Sequence, residues 1–259
     1  MMTKIYHLVQ FTHDNSLYVF FKGCNFQCKG CILKQSIWDC HISNKEKHVL
    51  QAINKVKFLS LSNFKALIKE LSPKKAVLGG GEPTLDKKLL DIICLLNAFD
   101  VESHLLTNGF ILNREFIKSL EDAGLSSICV SIKAYDEFLH QFYTGKPNKP
   151  VLDNFRLLNE SKIKLMAESV LIPGLIEQDE IEKIAKFIAE VNPHIPYRID
   201  GFIPINNTSW KAPSSKEVVN ASKLAKKHLK NVHFIHGKTK IKGKAINVYP
   251  KLRGMKNEL

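Results

Sequence analysis

Gly23-Cys24-Asn25-Phe26-Gln27-Cys28-Lys29-Gly30-Cys31 places three cysteines on one short segment, three and then two residues apart. An apolar run, Leu17-Tyr18-Val19-Phe20-Phe21, stands just before it. Three thiolates on a short loop suit two kinds of metal centre. They can hold three irons of a [4Fe–4S] cluster and leave the fourth iron open, cysteine being the usual ligand of such clusters. They can also supply part of a structural zinc site. Zinc prefers four ligands, so Cys40, His41 or His48 would have to complete it.

The bulk properties narrow the setting. A chain of 259 residues fits one large domain or two small ones. Its content of 44% hydrophobic and 24% charged residues is that of a globular protein. It has no apolar run long enough to span a membrane, and Met1-Met2-Thr3-Lys4-Ile5-Tyr6-His7 does not read as a signal peptide. Six cysteines are too few for a disulfide scaffold at this length, and a clustered triplet reads as metal-binding. A reducing, cytoplasmic location is expected. The formal charge is +13, from 38 Lys and Arg against 25 Asp and Glu. That balance fits a nucleic acid, an acidic protein partner or a phosphorylated substrate. It also fits a surface simply rich in scattered lysine.

Beyond a polar stretch at 36–55, read as a long loop with a short helix, the pattern becomes regular. Phe64, Leu67, Ile68 and Leu71 lie on one face of a helix capped by Ser62 and stopped by Pro73. Strands are predicted at 75–78, 101–106, 127–133, 162–172, 197–203 and 232–235. Helices are predicted at 89–98 behind Asp86, 113–120 behind Asn113, 150–159, 181–191 and 214–230. Such alternation argues for an α/β fold, a parallel sheet with helices outside it. Six units are two short of a closed barrel, so the expectation is a partial, splayed (β/α)6 barrel of parallel strands, a partial TIM barrel, over 1–236. A basic tail at 237–259 (Lys238, Lys240, Lys242, Lys244, Lys251, Arg253, Lys256) follows.

In parallel α/β architectures active sites lie at the carboxyl ends of the strands. The motifs obey this rule. The cysteine loop follows the apolar run Leu17–Phe21, which is the first strand, and Gly80-Gly81-Glu82-Pro83 follows the second, at 75–78. Thr107-Asn108-Gly109 follows the third, Lys133 ends the fourth, and Ile172-Pro173-Gly174 ends the fifth.

The triplet, with Gly80-Gly81-Glu82-Pro83 some fifty residues on, resembles the radical S-adenosylmethionine superfamily. Val19-Phe20-Phe21-Lys22-Gly23-Cys24, Ser131-Ile132-Lys133-Ala134-Tyr135-Asp136 with its continuation through Phe142-Tyr143-Thr144-Gly145 to Asn154, and Leu171-Ile172-Pro173-Gly174 are similar to pyruvate formate-lyase activating enzyme and its relatives. The likeness runs from about Leu17 to about Ile203. It implies that Cys24, Cys28 and Cys31 are the cluster ligands and the catalytic centre, and that the open iron chelates the methionine moiety of S-adenosylmethionine. One-electron reduction, by a flavodoxin- or ferredoxin-like donor, then releases a 5′-deoxyadenosyl radical. The backbone of Gly80, Gly81, Glu82 and Pro83 would receive the methionine amino group, and Lys133 would pair with its carboxylate. Phe26 would exclude water from the cluster. Thr107, Asn108, Ser131, Glu168, Val170 and Ile172 complete the expected cofactor-binding set.

Strand alternation adds an inference of its own, because side chains two apart share a face. If Lys133 points inward, so do Ser131 and Cys129, leaving Ile128, Val130 and Ile132 to meet the helices. If Asn108 faces the site, so do Leu106 and His104; Glu168 shares its face with Val170 and Ile172. The alternatives are that Lys133 snorkels at the rim and that His104 or Glu168 sits on a strand flank in a local pair. Cys94 reads as a core residue, and Cys40 with His41 is too sparse for a second cluster.

The departures from the activating enzymes bear on substrate. His13-Asp14-Asn15-Ser16 replaces a Gly-Pro-Gly-Ile-Arg-like run. Leu106 and Ser131 stand where acidic residues are expected. Gly30 replaces an aromatic residue, as in the activases of anaerobic ribonucleotide reductase. No histidine is found around Phe202-Ile203-Pro204. Activation of a glycyl-radical enzyme, and modification of RNA, a peptide or a small metabolite, all remain open. The lack of a basic strand interleaved with aromatics favours a protein, peptide or small-molecule substrate over RNA. From another class, a non-enzymatic zinc- or iron-binding module contacting nucleic acid is the alternative.

Overall fold

In the computed structural model, residues 1–53, 55–236, 239 and 242–252 are described. Among these residues nine strands form one sheet: β1 (Ile5–Phe11), β2 (Ser16–Phe21), β3 (Lys75–Gly80), β4 (Glu102–Thr107), β5 (Ser127–Ser131), β6 (Lys164–Leu171), β7 (Tyr197–Gly201), β8 (Val232–Ile235) and β9 (Ala245–Tyr249). Their spatial order is β8-β7-β6-β5-β4-β3-β2-β1-β9. From β2 to β8 every strand lies beside its predecessor and parallel to it. Crossovers that all advance in one direction put their helices on one face and curl the sheet. The result is an open, mostly parallel α/β sheet of the partial-barrel kind, with six strand–helix crossovers between β2 and β8.

The helices are α1 (Asn44–Gln51), α2 (Leu61–Leu71), α3 (Leu89–Ala98), α4 (Arg114–Asp122), α5 (Glu137–Thr144), α6 (Lys149–Asn159), α7 (Gln178–Val191) and α8 (Ser215–Ala225). Local chemistry explains most of their starts. Asn113 accepts a hydrogen bond from the Phe116 N–H at 2.8 Å, and Ser214 forms a capping box with Glu217. Ser60, rather than Ser62, caps α2. Asp86 stands two residues short of the cap it was expected to be, because a 3-10 turn, Pro83–Leu85, intervenes. α5 was not foreseen. It begins at Asp136, which accepts from the Leu139 N–H, and ends at Gly145 with φ +76°.

The two sheet faces differ as alternation requires. Leu17, Val19, Phe21, Leu78, Leu105, Ile128, Val130, Ala167, Tyr197 and Ile199 are buried under the helices. Tyr18, His104, Leu106, Met166, Glu168, Arg198 and Asp200, on the other face, are only partly buried. Burial of each large apolar side chain contributes roughly 1.5–3 kcal/mol, so the outer face is what holds the curl.

Two strands lie where the sequence suggested none. β1 precedes the expected first strand and pairs antiparallel with β2. Its first five residues are all buried, so the alternation that marks a strand is missing. The cysteine loop therefore follows the second strand of the chain. β9, from within the segment read as a basic tail, pairs antiparallel with β1. Of that tail, Lys242, Lys244 and Lys251 are described; Lys238, Lys240, Arg253 and Lys256 lie outside the described residues. A second apolar cluster of Tyr6, Val9, Phe20, Trp38, Ile42 and Leu50 folds residues 37–50 over the inner face of β1 and β2. No helix among the described residues is long and apolar enough to cross a membrane.

Ile128 is fully buried at the centre of the outer face. Ile128→Ala is expected to lower unfolding stability by about 2–5 kcal/mol, read from the denaturant midpoint.

Candidate active site at the carboxyl ends of the strands

The cysteine loop is held from two sides. On one, the Gly81 N–H donates to Phe21 O at 2.9 Å and the Glu82 N–H to Gly23 O at 2.8 Å. The approach is so close that a Cβ on Gly81 would stand 2.2 Å from Gly23 O and 2.7 Å from Phe21 O. Glycine is required there by space. On the other side, the Gln27 N–H donates to Thr144 O at 2.8 Å and the Lys29 N–H to Tyr143 O at 2.9 Å, tying the loop to the end of α5. Phe26 is buried, its ring edge-on to Phe110 at 5.6 Å and to His140 at 5.5 Å. A Cβ on Gly30 would lie 2.7 Å from the Phe202 ring. The aromatic group missing from position 30 is thus replaced in space by Phe202, just beyond β7.

Glu82 is buried and locks two loops together. Its Oε1 accepts from the Thr84 N–H at 3.1 Å, the Thr84 hydroxyl at 2.5 Å and the Thr107 hydroxyl at 2.7 Å. Its Oε2 accepts from the Asn108 N–H at 2.7 Å. Burial raises the carboxyl pKa, and these four hydrogen bonds oppose the rise by favouring the anion. Asn108 then reaches the cysteine loop, its Nδ2 donating to Asn25 Oδ1 at 2.7 Å and to Cys24 Sγ at 3.7 Å. Pro83 is buried in the same turn, and Gly80 takes φ +84° to start it.

Cys24, Cys28 and Cys31 line one cavity of about 290 Å3, together with Phe26, Gly81, Lys22 and Lys34. Burial pushes the Cys28 thiol up to about 11, with Lys133 pulling it back, and burial also raises Cys24. A metal centre is what would bring such thiols to thiolates. A single zinc bound by each sulfur at 2.3 Å would need sulfurs about 3.8 Å apart. Among the described residues the only three ligand atoms gathered within 4.8 Å belong to Asp39, Cys40 and His41. The three cysteine sulfurs, on one cavity, are not gathered that closely, a spacing that suits a centre larger than a single zinc ion.

Lys133 faces the inner side. Its Nζ donates to Ser131 Oγ, and Ser131 Oγ donates to Glu168 Oε1 at 2.9 Å. Glu168 Oε2 accepts from the Arg198 guanidinium, whose Nε is 2.9 Å from Asp200 Oδ1. Cys129 Sγ lies 3.9 Å from Glu168 Oε2. The shared face inferred for Lys133, Ser131 and Cys129 is therefore present, with Glu168 as its hub. Two cations and two carboxylates alternate in this partly buried chain, and breaking such a network leaves a charge uncompensated. Burial raises the Asp200 pKa against the pull of Arg198. His104 instead sits in a local pair with Ser127 Oγ at 2.6 Å, towards the amino end of the sheet. Val170 is half-buried against the core. Ile172 is fully buried, its backbone paired with Ile176. Neither lines the cysteine cavity. Arg198 and Asp200 were missed by sequence reasoning. Their signal was two charges alternating with buried Tyr197 and Ile199 on one strand.

This architecture and site define the radical SAM class. The Radical SAM superfamily model matches residues 18–188, and the chain belongs to that family of enzymes. A relative in Methanocaldococcus jannaschii, provisionally named a glycyl-radical enzyme activating enzyme, is 35% identical over 215 residues, covering 81% of this chain and 76% of that protein. Among solved structures, Streptococcus suis SuiB bound to its precursor peptide SuiA superposes with TM-score 0.64 at 13% identity, covering 82% of this chain and 46% of that one. A domain of pyruvate-formate lyase-activating enzyme from Bacteroides vulgatus gives TM-score 0.53 at 20% identity, over 61% of this chain and 97% of that one. These two share the fold.

Two outcomes are expected. Gly81→Ala must part the glycine-rich loop from the cysteine loop, so reconstituted variant protein should hold less iron than wild type and melt at lower temperature. The His104 imidazole is pushed down to about 4 by burial first, then by Lys75 and Arg198. Between about pH 6.5 and 4 the unfolded chain binds a proton that the folded chain refuses. Stability should fall as pH drops through that window, by up to about 3 kcal/mol from this group. Urea titrations across pH should show a shallower slope for His104→Asn.

Proposed function

We propose that Cys24, Cys28 and Cys31 hold a [4Fe–4S] cluster that binds S-adenosylmethionine, and that the chain activates a glycyl-radical enzyme. The observation that supports the cofactor reading is the joining of three cysteines, Gly81, Asn108 and Lys133 at one end of the sheet. When bound, the cluster and S-adenosylmethionine supply a 5′-deoxyadenosyl radical for hydrogen abstraction. The residues of the chain prepare the place. Lys133 presents an ammonium group to the methionine carboxylate, a charge-assisted contact. Ser131 and Glu168 fix where that ammonium points. The part-buried backbone of the Gly80–Gly81 turn receives the amino group, and Phe26 covers one side of the cysteine loop. Lys22 and Lys34, on the cavity wall, suit an acidic flavodoxin- or ferredoxin-like electron donor.

A protein substrate is favoured by the name of the Methanocaldococcus relative and by the open sheet. The α5 side chains beside the cysteine loop are exposed, with Phe138 at 77% and Phe142 at 44%, an apolar margin suited to a protein surface.

Anaerobically reconstituted protein should contain about four irons and cleave S-adenosylmethionine on reduction, and Cys28→Ala should abolish the cleavage. Lys133→Ala should assemble the cluster normally but weaken S-adenosylmethionine binding by roughly 2–5 kcal/mol, read by titration calorimetry. With pyruvate formate-lyase apoprotein as probe, a glycyl-radical signal in electron paramagnetic resonance is expected. Cleavage stimulated only by RNA or by small metabolites would overturn the activase reading and leave the cofactor reading standing.

A further inference from the structure

Asp39, Cys40 and His41 are three consecutive residues with three different ligand atoms, and the radical chemistry uses none of them. In the structure a carboxylate oxygen, a sulfur and a ring nitrogen of this triplet lie within 4.8 Å of one another. His41 Nδ1 is 3.2 Å from Asp39 Oδ1 and 3.5 Å from Cys40 Sγ. A tetrahedral zinc ion with its usual bond lengths sets nitrogen and oxygen ligands about 3.4 Å apart, and nitrogen and sulfur about 3.6 Å. Both of these edges agree with that geometry to within about 0.2 Å, and the oxygen and sulfur lie within 4.8 Å.

The triplet is braced. The Asp39 N–H donates to Nε2 of fully buried His7 at 3.3 Å, and His7 Nδ1 bonds Tyr249 O at 2.8 Å. The Trp38 ring stands edge-on to His7 at 5.2 Å. Lys47 Nζ donates to Cys40 O at 2.7 Å, and the Ser43–Glu46 capping box starts α1 immediately afterwards. These anchors hold the backbone that carries the three side chains, of which Asp39 is buried and Cys40 and His41 are exposed.

All three residues line a cavity of about 460 Å3 that meets the cysteine cavity at Leu33. Tyr18 and Phe20 from the inner face of β2 form its floor, and Ile203, beyond β7, is part of its wall. The size is that of a small-molecule pocket. Ile32 and Leu33, directly after Cys31, border it, so the pocket adjoins the cysteine loop.

We propose that Asp39, Cys40 and His41 form a three-ligand transition-metal site of the zinc class, whose fourth position opens into this cavity and takes a carboxylate or phosphate oxygen of the substrate. Mixed oxygen, sulfur and nitrogen donors suit zinc, whereas magnesium and calcium call for oxygen throughout. Three protein ligands are the pattern of zinc sites that keep one position for water or substrate. The metal site stands independently; its role as a substrate anchor rests on the radical-enzyme reading above.

The test uses the anaerobically reconstituted full chain, loaded with zinc, dialysed against metal-free buffer and analysed for both metals. Wild type should retain about one zinc beside about four irons. Cys40→Ser and His41→Ala should each lose the zinc and keep the iron. Cobalt(II) in place of zinc should give a thiolate-to-cobalt charge-transfer band that Cys40→Ser lacks, and added phosphate or acetate should shift the visible cobalt bands. Wild type without zinc, or variants that both retain it, would overturn the site. A cobalt spectrum indifferent to both anions would overturn the open fourth position. Zinc lost with Cys40→Ser from a wild type that takes up no iron would support this site while removing the cluster.

Discussion

The Glu82 carboxylate is the brace on which the site rests. It is buried, and its oxygens accept four hydrogen bonds from Thr84, Thr107 and Asn108. A buried carboxylate without donors would be costly, and one with four is a rigid junction. Through it the loop after β3 and the loop after β4 become one body. Gly81 presses that body against the strand leading to the cysteines, and Asn108 reaches Cys24 from it. The cysteine loop has no helix or strand of its own at Cys24 and Cys28. Its shape is borrowed from these neighbours and from the end of α5.

The sheet divides its labour by face. The helix-covered side is mostly apolar, with Ser103, Thr107 and Ser169 as its buried polar members, and supplies the folding energy. The inner side carries Lys133, Ser131, Glu168, Arg198 and Asp200, a chain of alternating charge that would be unstable in a sealed core. An open curl makes this possible, because the inner face keeps contact with water where the sheet fails to close. At the sheet's other edge, β1, β9 and residues 37–50 build a small apolar core of their own. That core is what positions Asp39, Cys40 and His41 over the inner face of β2.

The sequence by itself determined the parallel alternation, the strand-end placement of the motifs and the inward face of β5. These are local signals: period, caps and glycine turns read within a dozen residues. It missed α5, whose Asp136 cap and Gly145 stop were visible but attached to no long apolar stripe. It also missed β1, because a strand buried on both faces shows no alternation. Only the tertiary structure decided that part of the supposed tail extends the sheet as its edge strand β9, since pairing 200-odd residues apart leaves no local trace. Only it revealed that Arg198 and Asp200 join Glu168 across two strands, that Phe202 fills the space beside Gly30, and that Ile172 turns into the core. And only it showed the ligand atoms of Asp39, Cys40 and His41 to lie within 4.8 Å of one another, on a segment whose Asp39 N–H bonds the buried His7 more than thirty residues earlier in the chain.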